Sequence, residues 1–216
     1  MAGANALEWI RRTGVIAIMR AQSSDQLLRA AEAIRAGGVS AIEVTMTTPG
    51  ALAVIESATA QADEGVTFGA GTVLDAESAR AAILAGAQFL VSPTLSVAVI
   101  AMARRYRVPV LPGAYTPTEI LAAWEAGADM VKVFPASVGG PEFIRALKAP
   151  LPQVDLVPVG GVELENTAAF IRAGAAAVGV GGALVNQRLL DARDWDALTA
   201  RARRLVEAVA EGRGGG

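Results

Sequence analysis

Two ionisable residues interrupt otherwise apolar stretches, and they are the pair that could do chemistry. Lys132 lies in Met130-Val131-Lys132-Val133-Phe134-Pro135-Ala136, and Glu43 in Ala41-Ile42-Glu43-Val44-Thr45-Met46. The chain has only two lysines, against seventeen arginines. The second, Lys148, falls in Arg145-Ala146-Leu147-Lys148, which reads as the exposed end of a helix. A surface lysine can pack its stem and keep its head in water, but a strand centre gives little room for that. Burial disfavours an ammonium relative to the neutral amine, and a neutral amine attacks ketones. A lone buried carboxylate is likewise costly unless it is paired or protonated. Two such groups in one small domain most economically share a site. That site is either catalytic, with an amine nucleophile and a carboxylate that moves protons, or an inert ion pair.

Composition narrows the chemistry. The 216 residues contain no histidine and no cysteine. There is therefore no imidazole base, no thiolate nucleophile and no zinc site of the His or Cys kind. Acid–base work must fall to carboxylates, lysine, tyrosine or water. A net charge of −2 gives no basic footprint for nucleic acid. No apolar run reaches membrane-spanning length. The segment from Met1 to Arg12 reads as a short helix rather than a signal peptide, and the cytoplasm is the expected location.

The elements that must hold the pair follow an alternating pattern. Strands are expected over Gly14–Arg20, Ala41–Met46, Thr67–Val73, Phe89–Ser92, Val108–Leu111, Met130–Ala136, Asp155–Val159 and Ala177–Val180. Helices are expected between them, and a last one from about Trp195 to Val209. Continuous apolar strands joined by helical crossovers predict an all-parallel sheet, and eight units predict a closed (β/α)8 barrel. Ala36-Gly37, Ala85-Gly86, Ala126-Gly127 and Ala173-Gly174 each end a helix before an even-numbered strand, where glycine supplies the left-handed cap. The competing architecture is an open doubly wound sheet. It calls for a glycine fingerprint after the first strand, where this chain has Met19-Arg20-Ala21-Gln22. One barrel domain over residues 1–211 is expected, followed by a flexible glycine-rich tail at 212–216.

In such barrels the C-terminal strand ends build the site. Alternation along a strand turns Lys132 inward with Val131 and Val133 facing the helices, and turns Glu43 and Thr45 inward with Ile42 and Val44 outward. Gly160-Gly161 and Gly181-Gly182 close strands seven and eight, the usual place for a phosphate held by backbone N–H groups; ordinary turn formation is the alternative. Gly69-Ala70-Gly71-Thr72 lets the third strand approach closely and offers a hydroxyl and an amide to an anion, or else marks a bend. Arg20 can fork onto a carboxylate or make a rim ion pair. Ser92-Pro93 ends the fourth strand.

These words together resemble one family. Ile42-Glu43-Val44-Thr45 with Thr48-Pro49-Gly50, Gly69-Ala70-Gly71-Thr72-Val73-Leu74, Ser92-Pro93, Pro112-Gly113, Val131-Lys132-Val133-Phe134-Pro135-Ala136 and Val159-Gly160-Gly161-Val162 are similar to the bacterial 2-keto-3-deoxy-6-phosphogluconate / 4-hydroxy-2-oxoglutarate aldolases. The resemblance runs from about Gly14 to Val185. It implies a (β/α)8 class I aldolase that is a homotrimer, with Lys132 as Schiff-base lysine and Glu43 as proton shuttle. It implies substrate contacts from Arg20, Thr47, Thr72, Pro93, Gly160, Gly161, Gly181 and Gly182. No metal or organic cofactor is implied. The partners implied are a phosphorylated keto sugar acid and pyruvate. Thr47 stands where some members carry an arginine that holds the pyruvate carboxylate; Val159 and Ala183 replace a threonine and a serine. Carboxylate binding is then expected to shift to Arg20 and Thr72. Two further readings stand beside this one: an aldolase for the 6-phosphogalactonate epimer or 4-hydroxy-2-oxoglutarate, and a non-catalytic phosphosugar-binding barrel.

Overall fold

The structure is a computed structural model and describes residues 2–20, 23–61 and 65–214. It is a (β/α)8 barrel. The strands are β1 (Val15–Met19), β2 (Ala41–Thr45), β3 (Thr67–Gly71), β4 (Leu90–Val91), β5 (Val110–Leu111), β6 (Gly113–Ala114), β7 (Val131–Val133), β8 (Leu156–Pro158) and β9 (Val178–Val180). β5 and β6 occupy one barrel position. Pro112 divides them, because it has no N–H to give to the ladder. All pairings are parallel. One ladder runs β5-β4-β3-β2-β1-β9 and the other β6-β7-β8, and a parallel bridge from Val159 to Gly179 closes the ring.

The helices are α1 (Ala2–Thr13), α2 (Ser24–Ala36), α3 (Ala51–Gln61), α4 (Ala76–Leu84), α5 (Val97–Arg105), α6 (Pro117–Glu125), α7 (Gly140–Lys148), α8 (Leu164–Arg172), α9 (Gln187–Ala192) and α10 (Trp195–Gly214). Local sequence sets several starts. Ser23 accepts from the Gln26 amide, Asp75 from Ser78, Ser96 from Val99, and Thr116 with Glu119 forms a capping box. Pro117 follows that cap at the position where a missing N–H costs nothing.

Alternation divides the buried apolar residues into two layers. Val15, Ile42, Val44, Phe68, Val131 and Val133 belong to the layer between barrel and helices. Ile16, Phe89, Val91, Leu111, Val157 and Ala177 fill the interior, together with Ala6 and Ile10 of α1. The first helix thus plugs the barrel's N-terminal end. With that end filled by apolar side chains, the opposite end is left for polar groups.

Two local expectations are corrected, and one helix is new. Gly37 is right-handed, at φ −83°, and Gly38 takes the left-handed turn at φ +98°. Gly37 is needed for a different reason: a Cβ there would meet Ala202 Cβ and the Thr199 carbonyl at 2.5 Å. The other three caps, Gly86, Gly127 and Gly174, are left-handed as expected. The tail expected from residue 212 is helical as far as Gly214. Gly212 is buried, and a Cβ on it would meet Ile171 Cβ at 2.7 Å and the Ala168 carbonyl at 2.8 Å. Residues 215–216 lie outside the described residues, as do Met1 and the Ala21-Gln22 that follow the first strand. The short helix α9 was not anticipated: after Gly181-Gly182 the apolar pattern is too brief to signal it, and its cap is Asn186.

Candidate active site

β2 and β7 bring their central residues into the barrel mouth. Glu43 pairs in register with Ile18 of β1 and Gly69 of β3. Lys132 pairs with Gly113 of β6 and Val157 of β8. Both side chains are buried, at 2% and 5% exposure. Both line one cavity of about 820 Å³, and all eight residues expected to contact substrate line it as well: Arg20, Thr47, Thr72, Pro93, Gly160, Gly161, Gly181 and Gly182.

Lys132 and Glu43 are not a tight ion pair: among the described residues no ion pair joins them. The Lys132 charge still acts on Glu43 without such a contact. Burial pushes the Glu43 carboxyl above the ordinary glutamate value of 4.5, and the positive charges of Lys132 and then Arg20 pull in the other direction. The Lys132 ammonium makes no hydrogen bond among the described residues; its Nζ lies 5.0 Å from the centroid of the Phe134 ring. Lys148 is the opposite case. It is partly buried, and its Nζ donates at 2.8 Å to the carbonyls of both Pro152 and Val154. A lysine so fully partnered ties down a loop; Lys132 is the one whose amine faces open space.

Glycines shape the space around the pair. A Cβ on Gly71 would lie 1.8 Å from Glu43 Oε1 and 2.4 Å from its Cδ. Gly71 is therefore what allows the carboxylate to lie where it does. The clashing atoms are the end of a flexible side chain, so Gly71→Ala is expected to move Glu43 rather than unfold the barrel. Cleavage activity should fall by about tenfold or more with a change in melting temperature of a few degrees. Parallel measurement of rate and Tm checks this.

Thr72 completes that turn at φ +59°, an uncommon conformation for a non-glycine residue. Thr45 sits below, its hydroxyl 3.1 Å from that of Thr47 and 3.3 Å from that of Thr48. Gly113 lets β6 pass the backbone of Pro93, whose carbonyl carbon would be 2.3 Å from an added Cβ.

The two glycine pairs differ. Gly160 and Gly161 have φ of +84° and +78°, and side chains there would meet the Phe134 ring and Ser137. They are turn formers as well as lining. Gly181 and Gly182 face open space. Among the described residues the Gly182 and Ala183 amides have no acceptor, which leaves two N–H groups for an anion.

Sequence reasoning missed part of the wall. Asn186 from the turn before α9, and Arg201, Arg204 and Leu205 from α10, also line the cavity. Phe134 is lining too, with its ring over Lys132.

Known proteins resemble this chain in sequence and in fold. Residues 7–201 match the family model for KDPG and KHG aldolases. The chain belongs to that family, and it is an aldolase, a lyase. The 2-dehydro-3-deoxy-6-phosphogalactonate aldolase of Escherichia coli (strain K12) is 37% identical over 179 residues, covering 82% of this chain and 87% of that protein. The 2-dehydro-3-deoxy-phosphogluconate aldolase of Treponema pallidum (strain Nichols) is 36% identical over 205 residues, covering 94% and 96%. Among solved structures, native KDPGal superposes with a TM-score of 0.86 at 34% identity, covering 93% of this chain and 96% of that one. A Legionella pneumophila KDPG aldolase with pyruvate captured as a covalent carbinolamine gives 0.85 at 26% identity, covering 95% and 98%.

Proposed function

We propose that this aldolase cleaves 2-keto-3-deoxy-6-phosphogluconate to pyruvate and glyceraldehyde 3-phosphate through a Schiff base on Lys132. The observation that carries the reading is the buried Lys132 amine facing the same cavity as Glu43, beside unpaired backbone amides. The amine adds to the C2 ketone to give a carbinolamine. Loss of water gives a protonated imine, an electron sink next to C3. Glu43 takes the proton of the C4 hydroxyl, directly or through a water, and the C3–C4 bonding pair moves into the imine. Glyceraldehyde 3-phosphate leaves. The enamine takes a proton at C3, and water hydrolyses the imine to pyruvate and free Lys132.

In this reading Arg20 and Thr72 hold the carboxylate, with the Thr45–Thr47 hydroxyls beneath. The amides at Gly161 and at Gly182 face the phosphate, and Pro93 walls the sugar chain. The assembly is a homotrimer on the family resemblance, and a cytoplasmic setting is the default for a chain without cysteine. No helix is long and apolar enough to cross a membrane among the described residues.

A second reading has support of its own, since a 6-phosphogalactonate aldolase is among the similar relatives. It uses the same imine chemistry with the other C4 epimer. Rates of pyruvate release from the gluconate and galactonate substrates and from 4-hydroxy-2-oxoglutarate test the choice. The gluconate compound is expected to be cleaved with the highest kcat/KM, and preference for either of the others would replace it. Cleavage is also expected to survive prolonged EDTA treatment, because the chain has no histidine or cysteine to hold a catalytic zinc. Loss of activity restored by a divalent ion would contradict the imine route.

A further inference from the structure

The cavity wall supplied by α10 has no role in the chemistry above. Arg201, Arg204 and Leu205 line it, and a spacing of three and four residues puts them on one face of the helix. Arg201 donates from Nη1 to the Ala183 carbonyl at 3.1 Å. Its guanidinium is thereby anchored at the end of the cavity where the Gly182 and Ala183 amides lack acceptors. Arg204 has no hydrogen bond or ion pair among the described residues.

Other side-chain donors are scarce at this end. Val159 and Ala183 have none. Asn186 is engaged in capping α9, its Oδ1 accepting from the Leu189 amide at 3.1 Å and its Nδ2 donating to the Gly182 carbonyl at 3.4 Å. Glu163 and Glu165, at the start of α8, also line the cavity and would repel a dianion. No ion pair joins them to either arginine among the described residues. A phosphate monoester entering here is favoured by cations, and α10 brings two guanidinium groups, of which Arg204 is the one without a partner among the described residues. Arg204 lies beyond the span matched by the family model, which ends at residue 201.

We infer that Arg204 is a specificity-determining residue that takes the distal phosphate of the substrate, while Arg201 positions the Gly181–Ala183 turn whose amides share that phosphate. The inference rests on the proposed function and adds which residues select a phosphorylated substrate. A planar fork suits phosphate oxygens, and a charge-assisted hydrogen bond is among the stronger polar contacts.

The test compares kcat/KM for the phosphorylated keto sugar acid with that for its unphosphorylated counterpart. In Arg204→Ala the ratio is expected to fall about tenfold, through KM rather than kcat, and Arg204→Lys should recover part of it. Competitive inhibition by inorganic phosphate should weaken by a similar factor. Arg204→Gln serves if the alanine variant fails to fold. An unchanged ratio, or equal loss on both substrates with a lowered Tm, overturns the inference. Trapping of pyruvate by borohydride in the wild-type protein separates the two levels. No trapping would remove the aldolase mechanism, whereas trapping with an unchanged ratio removes only the role of Arg204.

Discussion

Lys132→Arg is expected to reduce aldol cleavage to background in a barrel that still folds. Arginine keeps the positive charge and most of the stem, but its guanidinium does not deprotonate and forms no imine at neutral pH. Removing the nucleophile of a covalent mechanism has cost on the order of 10⁶-fold in kcat elsewhere, so the loss should reach the detection limit. The variant also tests the non-catalytic alternative. If Lys132 only neutralised a bound anion, arginine would do so as well, and phosphosugar binding would persist unchanged. The strand should tolerate the swap because the side chain points into the 820 Å³ cavity rather than into the packed layer of Val131 and Val133. Pyruvate release measured beside thermal unfolding decides between the readings.

Glu43→Gln is expected to lower cleavage and pyruvate C3-proton exchange by ~10²–10⁴-fold, the usual contribution of a general acid–base group. Glutamine preserves shape and removes basicity, and imine formation on Lys132 should continue slowly. Stability should move the opposite way. Burial raises the folded carboxyl above 4.5 despite Lys132 and Arg20. Between 4.5 and that raised value the native protein holds a proton that the unfolded chain has released. Stability therefore falls as pH climbs through this window. The glutamine variant lacks that loss, so its Tm relative to wild type should rise from about pH 4 towards neutral pH. A structural partner of Lys132 would behave differently: near-normal exchange in a destabilised protein would remove Glu43 from the mechanism.

The pair was legible in sequence because each residue is the one ionisable group in an apolar run, and period-two alternation then fixes which way it points. The barrel was legible for a related reason: eight apolar runs separated by helical patterns leave few ways to bury both faces of every strand. Pro112 dividing one strand was visible as a residue but not as a break, since proline also closes strands. Gly37 and Gly38 could not be told apart, because which of two adjacent glycines turns left-handed depends on the packing of α2 against α10. Arg201 and Arg204 were invisible for the same kind of reason. Seventeen arginines look alike in one dimension, and only the docking of α10 determines which face reaches the mouth. Gly71 read as close approach of a strand, but what approaches it, the Glu43 carboxylate, lies on the neighbouring strand.

An imine between Lys132 and a 2-keto acid is the step on which the proposed mechanism depends. Its most direct test is the mass of the intact protein, and then of its peptides, after incubation with pyruvate and sodium borohydride. One reduced pyruvate adduct per chain, mapped to Lys132, is the expected result. An adduct on Lys148, or no adduct in protein that cleaves substrate, would contradict it.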